Sequence, residues 1–278
     1  MKNNLLSLHG GHSTYGDGTG RLEDFAQAAT ERGMVAFGFS EHMPRPDKYW
    51  YPGESPGRNS SENFQRYVQE ARAVQAHFRG KTEILVGAEL ELIPGLEHFL
   101  GDFLSRFQLD YCVGSVHFVH DVGFDFSADL YREAIEKCGG LEAFCLAYLD
   151  TMQLMIQSIR FQVLAHFDLF KVFSPDAVPI TDAMRSKVSE LMECIASRDL
   201  MLDINARGLL KPCREIYPSL EILRIAHKHD VAITLGDDSH APSEVGKNLD
   251  VAIEHARQAG YSQLSFLRAD GNRDCVEL

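Results

Sequence analysis

The sequence predicts an α/β barrel, and three observations support this fold class. Strand-like apolar segments recur along the whole of the 278-residue chain. Amphipathic helical patterns separate most of them, and such an alternation of strand and helix is typical of a parallel sheet. Six of the predicted strands end in a histidine or a carboxylate, at the end where (β/α) barrels build their active sites.

The predicted strands are short runs rich in apolar and β-branched residues. They lie at residues 5–9, 35–40, 84–88, 110–116, 161–166, 200–204, 231–236 and 263–267. Seven or eight units of strand and helix can close a barrel. We expect one domain spanning residues 1–278, because α/β barrels of this length commonly fold as a single domain.

The predicted helices follow from apolar residues spaced three and four positions apart. Residues 22–29 show this spacing, and a second helix starts near the capping pair Ser60-Ser61 and stops at Gly80. The remaining predicted helices cover about 95–107, 129–158, 182–197, 219–229 and 243–258.

The composition is that of an acidic protein, with a net charge of −13 and a pI of about 5.3. Proteins that bind nucleic acid need a basic surface, so we expect no such partner. No apolar run approaches the roughly 20 residues of a membrane span, and the N-terminal residues lack the apolar core of a signal peptide. The six cysteines form no C-x-x-C pair, which favours free thiols in a reducing cytoplasm. The oligomeric state stays open, with a homo-oligomer as one option.

Imidazole and carboxylate side chains follow the predicted strands at the points where the strands end. These side chains belong to His9, His12, His42, Glu89, His117, His166, Asp238 and His240. Asp238 and His240 are two residues apart, so in an extended segment they point the same way. A single histidine after a strand is more often a hydrogen-bonded core residue, but the recurrence of this feature favours a metal site. Nitrogen and oxygen ligands without sulfur suit Zn, Mn or Fe.

The segments around these residues resemble the ordered motifs of the polymerase-and-histidinol-phosphatase (PHP) superfamily. The matching segments are residues 8–13 (LHGGHS), 40–42 (SEH), 87–89 (GAE), 114–118 (GSVHF), 165–169 (AHFDL) and 236–240 (GDDSH). Residues 114–118, 204–209 (INARGL) and Tyr217-Pro218 are most similar to the histidinol-phosphatase branch. The resemblance runs from about residue 5 to 247. It implies a distorted (β/α)7 barrel with a metal site at the C-terminal ends of the strands, and hydrolysis of phosphate monoesters.

By this resemblance, nine residues would bind two to three divalent metal ions (Zn, Mn or Fe), with Glu89 bridging two of them. The nine are His9, His12, Asp17, His42, Glu89, His117, His166, Asp238 and His240. The alternative for Asp17, within Gly-Asp-Gly, is a turn residue. The family usually begins with His-x-His, whereas two glycines separate His9 from His12. A bulge at Gly10-Gly11 would let both rings reach the site.

The resemblance also indicates residues near the substrate's phosphate. Arg207 and Lys211 follow the strand at 200–204 and are the candidate phosphate ligands, although both could instead be surface charges. Asp238 and His240 are the candidate catalytic residues, because either could position the water that protonates the leaving group. Asp203 could support the site or be a polar core residue, and it stays unassigned.

The resulting functional prediction is a histidinol-phosphatase, which would hydrolyse L-histidinol phosphate in histidine biosynthesis. The alternatives are another phosphoesterase of the superfamily acting on a nucleotide or sugar phosphate, a metal-dependent amidohydrolase, and a non-catalytic metal-binding barrel. Residues 44–61 would form a lid or specificity loop on the active face, or an ordinary surface loop. Glu54, Asp121 and Asp125 could receive the cationic groups of the substrate, or be solvated loop charges.

Overall fold

The computed structural model describes residues 5–278 of the chain. The prediction that the chain lacks a signal peptide falls largely on residues 1–4 and so lies outside the described residues. The strands are β1 (Leu6–Ser7), β2 (Ala36–His42), β3 (Glu83–Glu91), β4 (Tyr111–Ser115), β5 (Phe118–Val119), β6 (Val122–Gly123), β7 (Val163–Leu164), β8 (Met201–Asn205), β9 (Ala232–Gly236), β10 (Gln263–Leu267) and β11 (Arg273–Glu277).

Eight α-helices lie within the described residues. They are α1 (Leu22–Glu31), α2 (Ser61–Phe78), α3 (Glu97–Arg106), α4 (Ala128–Cys138), α5 (Leu141–Ser158), α6 (Asp182–Ser197), α7 (Leu220–Lys228) and α8 (Leu249–Ala259). None of these helices is long and apolar enough to cross a membrane.

Seven parallel strands form a nearly closed barrel in the order β1-β2-β3-β4-β7-β8-β9. The last strand returns to the first, where the Leu8 amide donates to the Leu235 carbonyl oxygen at 2.8 Å. A parallel bridge between His9 and Gly236 continues this contact. The predicted (β/α)7 barrel is therefore confirmed. Its parallel strands carry their C-terminal ends, and the residues that follow them, to one rim.

The predicted eighth strand, residues 263–267, does not join the barrel. It is β10, and it pairs antiparallel with β11. This hairpin lies against the N-terminal ends of the barrel strands, because the Ala269 amide donates to Glu83 (2.9 Å) and Arg273 pairs with Asp199 (2.5 Å). Seven strands already close the barrel, so the eighth covers the end opposite the candidate site.

One predicted helix, residues 129–158, is two helices in the structure. Gly139 and Gly140 separate α4 from α5 with φ angles of 88° and 136°. Glycine reaches this left-handed region without the steric cost that a Cβ atom imposes, and it commonly ends helices there. The predicted helix at 243–258 also begins later than expected, at Leu249.

The apolar side chains of strands and helices form one large core. Phe39, Leu85 and Val113 on the barrel strands are fully buried, as are Phe144 and Leu191 on the surrounding helices. All six cysteines are free thiols, as the sequence predicted. This packing holds the barrel strands between the helices, and it thereby positions the side chains at their C-terminal ends.

Candidate metal and phosphate site

The structure brings the nine predicted metal ligands together at the C-terminal rim of the barrel. Glu89 lies at their centre and is almost completely buried. Its two oxygens face different groups of histidines, so one carboxylate contacts two candidate metal positions.

The first group consists of Glu89, His117 and His166. Glu89 Oε1 lies 3.3 Å from His166 Nε2 and 3.5 Å from His117 Nε2, and the two Nε2 atoms are 3.3 Å apart. Ligands at roughly 2.0–2.1 Å from a tetrahedral zinc ion are separated by about 3.3–3.4 Å. The three atoms therefore have the spacing that one divalent cation requires.

The second group surrounds the other oxygen of Glu89. Glu89 Oε2 lies 3.3 Å from His9 Nε2, 3.6 Å from His12 Nε2 and 3.3 Å from His42 Nδ1. Asp238 Oδ1 is 3.4 Å from the same His12 Nε2 atom and 4.0 Å from His9 Nε2. Two imidazoles and two carboxylates thus converge on one small volume, with His42 at its edge.

The third group lies closest to solvent and includes Asp17. Asp17 Oδ2 is 3.3 Å from His240 Nε2, and Asp17 Oδ1 is 3.8 Å from His42 Nε2. These three residues and His12 have ligand atoms within 4.8 Å of one another. Asp17 also lies in a turn and its side chain is half exposed, so its role as a metal ligand stays a prediction.

The two glycines between His9 and His12 allow both rings to enter the site. Gly11 has a φ of 70°, and a Cβ atom there would lie 2.7 Å from the Phe39 ring. The Gly11 amide donates to Ser239 Oγ at 3.2 Å, which holds the turn against the segment after β9. The backbone thus departs from a regular strand, and the centroids of the His9 and His12 rings lie 5.9 Å apart.

Two carboxylates that the sequence did not assign fix the orientation of the candidate ligands. His9 Nδ1 lies 2.7 Å from Asp203 Oδ2, and His117 Nδ1 lies 2.5 Å from Glu91 Oε2. An Nδ1–H donated to a carboxylate leaves Nε2 free to bind a metal and makes the ring more basic. Glu91 was detectable, because it lies two residues after Glu89 on the same strand and points the same way.

The cluster favours positive charge at its centre. Burial lowers the pKa of His9 and His117, but the neighbouring carboxylates raise both by more, to about 10 for His117, so these rings hold protons that a metal ion would replace. Burial raises the pKa of Glu89, but His42 and His9 lower it by more, so its net pKa lies well below the usual range. Burial, together with the neighbouring His240 and His42 rings, lowers the pKa of His12 well below its usual value. An ionised carboxylate and a neutral imidazole are the forms that bind metals.

Unsatisfied buried atoms provide a direct test of whether a metal fits. His9 Nε2 and His12 Nε2 are buried, face Glu89, and have no hydrogen-bond partner among the described residues. Buried polar atoms are seldom left unpaired, since this costs about 1–3 kcal/mol each. A divalent metal ion would satisfy both nitrogens, so the donor set fits the predicted cofactor.

The predicted phosphate ligands lie beside the cluster. Arg207 and Lys211 line the same cavity of about 80 Å³ as Glu89, His166 and Asp238. Arg207 is paired with Glu244 at 3.0 Å, whereas Lys211 forms no ion pair within residues 5–278. Both cations are therefore placed to meet an anion at the metal cluster, and Lys211 is the one without a competing carboxylate.

A larger cavity of about 360 Å³ adjoins the metal cluster. Its wall includes the loop at 44–61, which the sequence predicted to lie on the active face. Within this loop Trp50 Nε1 donates to the Arg45 carbonyl oxygen at 2.8 Å, and Arg45 pairs with Glu54 at 2.5 Å. The loop is therefore ordered by its own contacts and forms one side of the site.

Replacing Asp203 by Asn should weaken metal binding about 10- to 100-fold, the usual cost of losing a carboxylate that orients a histidine ligand. The amide keeps the shape of the side chain but weakens its hold on His9. Competition of the purified protein with a chelator measures the affinity, and Asp102→Asn on the exposed face of α3 is the control. Unchanged affinity in Asp203→Asn would show that Asp203 is only a polar core residue.

Comparisons with known proteins point to one family. The model of the PHP domain family matches residues 7–207. A probable histidinol-phosphatase from Deinococcus radiodurans is 33% identical over 257 residues, which covers 90% of this chain and 92% of that protein.

Two crystal structures show the same fold. A putative histidinol phosphatase from Listeria monocytogenes superposes with a TM-score of 0.82 at 24% identity, covering 89% of this chain and 99% of the other. A histidinol phosphate phosphatase from Lactococcus lactis, in complex with zinc, L-histidinol and phosphate, gives a TM-score of 0.72 at 21% identity, covering 98% and 99%.

Proposed function

Since this chain belongs to the PHP domain family, we propose that it is a metal-dependent histidinol-phosphatase that converts L-histidinol phosphate and water to L-histidinol and phosphate. The observation that carries the proposal is the position of Glu89. Its two oxygens face separate histidine groups, and the cavity beside it is lined by two cations. The names of the relatives supply the substrate.

The cofactors would be two to three divalent ions, with Zn, Mn and Fe all compatible with the donors. Glu89 would be shared between two of them, and the nine rim residues would complete the ligand set. A divalent cation supplies Lewis-acid stabilisation to the negative charge of the phosphate. The zinc in the Lactococcus lactis structure supports this cofactor class.

The protein's own residues then have distinct tasks in the reaction. Lys211 and Arg207 donate to the non-bridging phosphate oxygens and hold the phosphorus in place. The oxygen of a water molecule forms a bond to phosphorus while the ester P–O bond breaks, and the proton that this water loses replaces the one that a second water gives to the alkoxide. Asp238 and His240, at the rim of the cavity, orient the water that delivers a proton to the departing alkoxide.

Lys211→Ala should raise KM for the phosphate ester, with a loss in kcat/KM corresponding to about 1–3 kcal/mol of charge-assisted hydrogen bonding. Arg207→Ala should cost less, because Glu244 already pairs with this guanidinium. Steady-state phosphate release measures both, with the exposed Lys247→Ala as the control. Unaltered kinetics in both variants would exclude these two residues as phosphate ligands.

A substrate comparison tests the proposed function. The metal-loaded protein should release phosphate from L-histidinol phosphate with a kcat/KM at least about ten times that for sugar, nucleotide and aromatic phosphates. A tenfold preference for a nucleotide or sugar phosphate would support phosphate-ester hydrolysis but would contradict L-histidinol phosphate as the substrate. If the protein releases phosphate from none of these esters, it is better explained as a non-catalytic metal-binding barrel. If it also hydrolyses an amide, it is better explained as an amidohydrolase.

A further inference from the structure

The larger cavity and the metal cavity share part of their lining. Asp17, His42, Tyr51, Asp125 and Lys211 line both. A phosphate ester whose phosphate lies at the metal cluster would therefore extend its alcohol portion past these side chains. Their charges and hydrogen-bonding groups decide which leaving groups the protein accepts.

Two of the three acidic residues proposed from the sequence to receive substrate cations are already neutralised. Glu54 pairs with Arg45 at 2.5 Å and lies on the wall of the larger cavity. Asp121 is half exposed, pairs with Lys48 at 3.0 Å and accepts from the Tyr49 hydroxyl at 2.8 Å. Neither carboxylate offers an uncompensated charge to a ligand.

Two further carboxylates line the larger cavity, Glu41 and Asp17. Glu41 is 1% exposed, and its Oε2 accepts from the Ser13 amide and hydroxyl at 2.9 and 2.7 Å. Its Oε1 has no hydrogen-bond partner among the described residues and lies 4.0 Å from His12 Nδ1. Asp17 faces His42 and His240 in the metal cluster. Glu41 therefore exposes almost no surface to a substrate cation, and Asp17, although half exposed, already faces two histidines.

Asp125 differs from all of these carboxylates. It accepts a hydrogen bond from the Tyr51 hydroxyl at 2.5 Å, and it forms no ion pair with a lysine or arginine within residues 5–278. It is only partly buried and lines both cavities. One of its oxygens is thus held by a neutral donor, while its negative charge stays available to a ligand.

The surroundings of Asp125 hold it in a fixed place relative to the metal cluster. The Phe124 amide donates to the His117 carbonyl oxygen at 3.1 Å, which ties the preceding residue to a candidate metal ligand. The Tyr51 ring stacks against Phe118 and Phe126, with centroid distances of 5.6 and 5.1 Å. Tyr51 therefore joins the loop at 44–61 to the segment that carries Asp125.

We propose that Asp125 is the specificity-determining residue that binds a protonated primary amine on the leaving group of the phosphate ester. This inference rests on the proposed function, because L-histidinol carries such an amine. An ammonium group beside Asp125 would gain a charge-assisted hydrogen bond in a partly desolvated cavity. The aromatic rings of Tyr51 and Phe126 form the apolar surroundings of that contact.

The test compares L-histidinol phosphate with its analogue lacking the amine, 3-(imidazol-4-yl)propyl phosphate, at one metal and near pH 7. Asp125→Asn keeps an oxygen that accepts from Tyr51 but removes the charge. We expect the variant to lose roughly 10- to 100-fold in kcat/KM for the amine substrate, as a lost hydrogen bond to a charged group implies. The wild type should prefer the amine substrate by a similar factor, and the variant should not.

Asp121→Asn is the matched control, because Asp121 lies near Asp125 in sequence but is neutralised by Lys48; it should keep the wild-type preference for the amine. Calorimetry of L-histidinol binding to the metal-loaded proteins measures affinity without turnover, and Asp125→Asn should bind L-histidinol more weakly than the wild type does. If Asp125→Asn keeps the wild-type preference, the inference is wrong while the phosphatase function stands. If the wild type hydrolyses neither ester, both proposals fall.

Discussion

Replacing Glu89 by Gln should lower kcat/KM for phosphate release by roughly 1,000-fold, at the upper end of what a single electrostatic group contributes to catalysis. The reason is geometric, because each oxygen of Glu89 faces a different histidine group. An amide offers one neutral oxygen and one NH₂ group, which cannot bind a cation. The variant should therefore retain about two fewer metal ions per chain than the wild type.

Metal analysis and steady-state kinetics on the same preparation check this prediction. Glu133→Gln, on the exposed face of α4, is the matched control and should change neither quantity. The metal-free variant should melt within a few degrees of the metal-free wild type, because Glu89 contributes no apolar side chain to the core and glutamine keeps its shape. Loss of folding in proportion to loss of activity would instead assign Glu89 a structural role.

Replacing His240 by Ala should lower kcat/KM by roughly 100-fold, the range of a positioned group in proton transfer. His240 contacts Asp17 at 3.3 Å and belongs to one candidate metal group, whereas Glu89 belongs to two. The variant should thus lose about one metal ion per chain. Added metal should restore this ion more readily than it restores the ions lost from the Glu89 variant.

The exposed His98→Ala on α3 is the control for this variant. Activity as a function of metal concentration separates the two effects of removing His240. If added metal restores full activity, His240 acts only as a ligand. A wild-type metal content together with wild-type kinetics would exclude His240 from the site.

Much of the candidate site was visible in the sequence, because each residue follows an apolar run that defines a strand. Glu89 near the end of β3 and His117 just after β4 are examples, and parallel pairing brings the ends of both strands to one rim. The contacts of Asp203 could not be predicted in this way. Asp203 reaches His9 only because β9 pairs with β8 and returns to β1.

The position of the last predicted strand could not be predicted from the sequence either. The apolar pattern of β10 indicates a strand, but it does not indicate which strand β10 pairs with. β10 stays outside the barrel because the first seven parallel strands already close it. The ion pairs of Glu54 and Asp121 depend in the same way on loops whose course has no periodic signal. The break between α4 and α5 was detectable from Gly139-Gly140, although the apolar spacing continues across it.

Metal reconstitution tests the central claim most directly. Protein stripped of metal should release no phosphate from L-histidinol phosphate, and activity should return as Zn, Mn or Fe(II) is added, with a maximum at about two to three bound ions per chain. Bound metal should also raise the melting temperature, since a ligand at 100 times its Kd adds about 2.7 kcal/mol of stability per site. Full phosphatase activity with fewer than about one metal ion per chain would contradict the account.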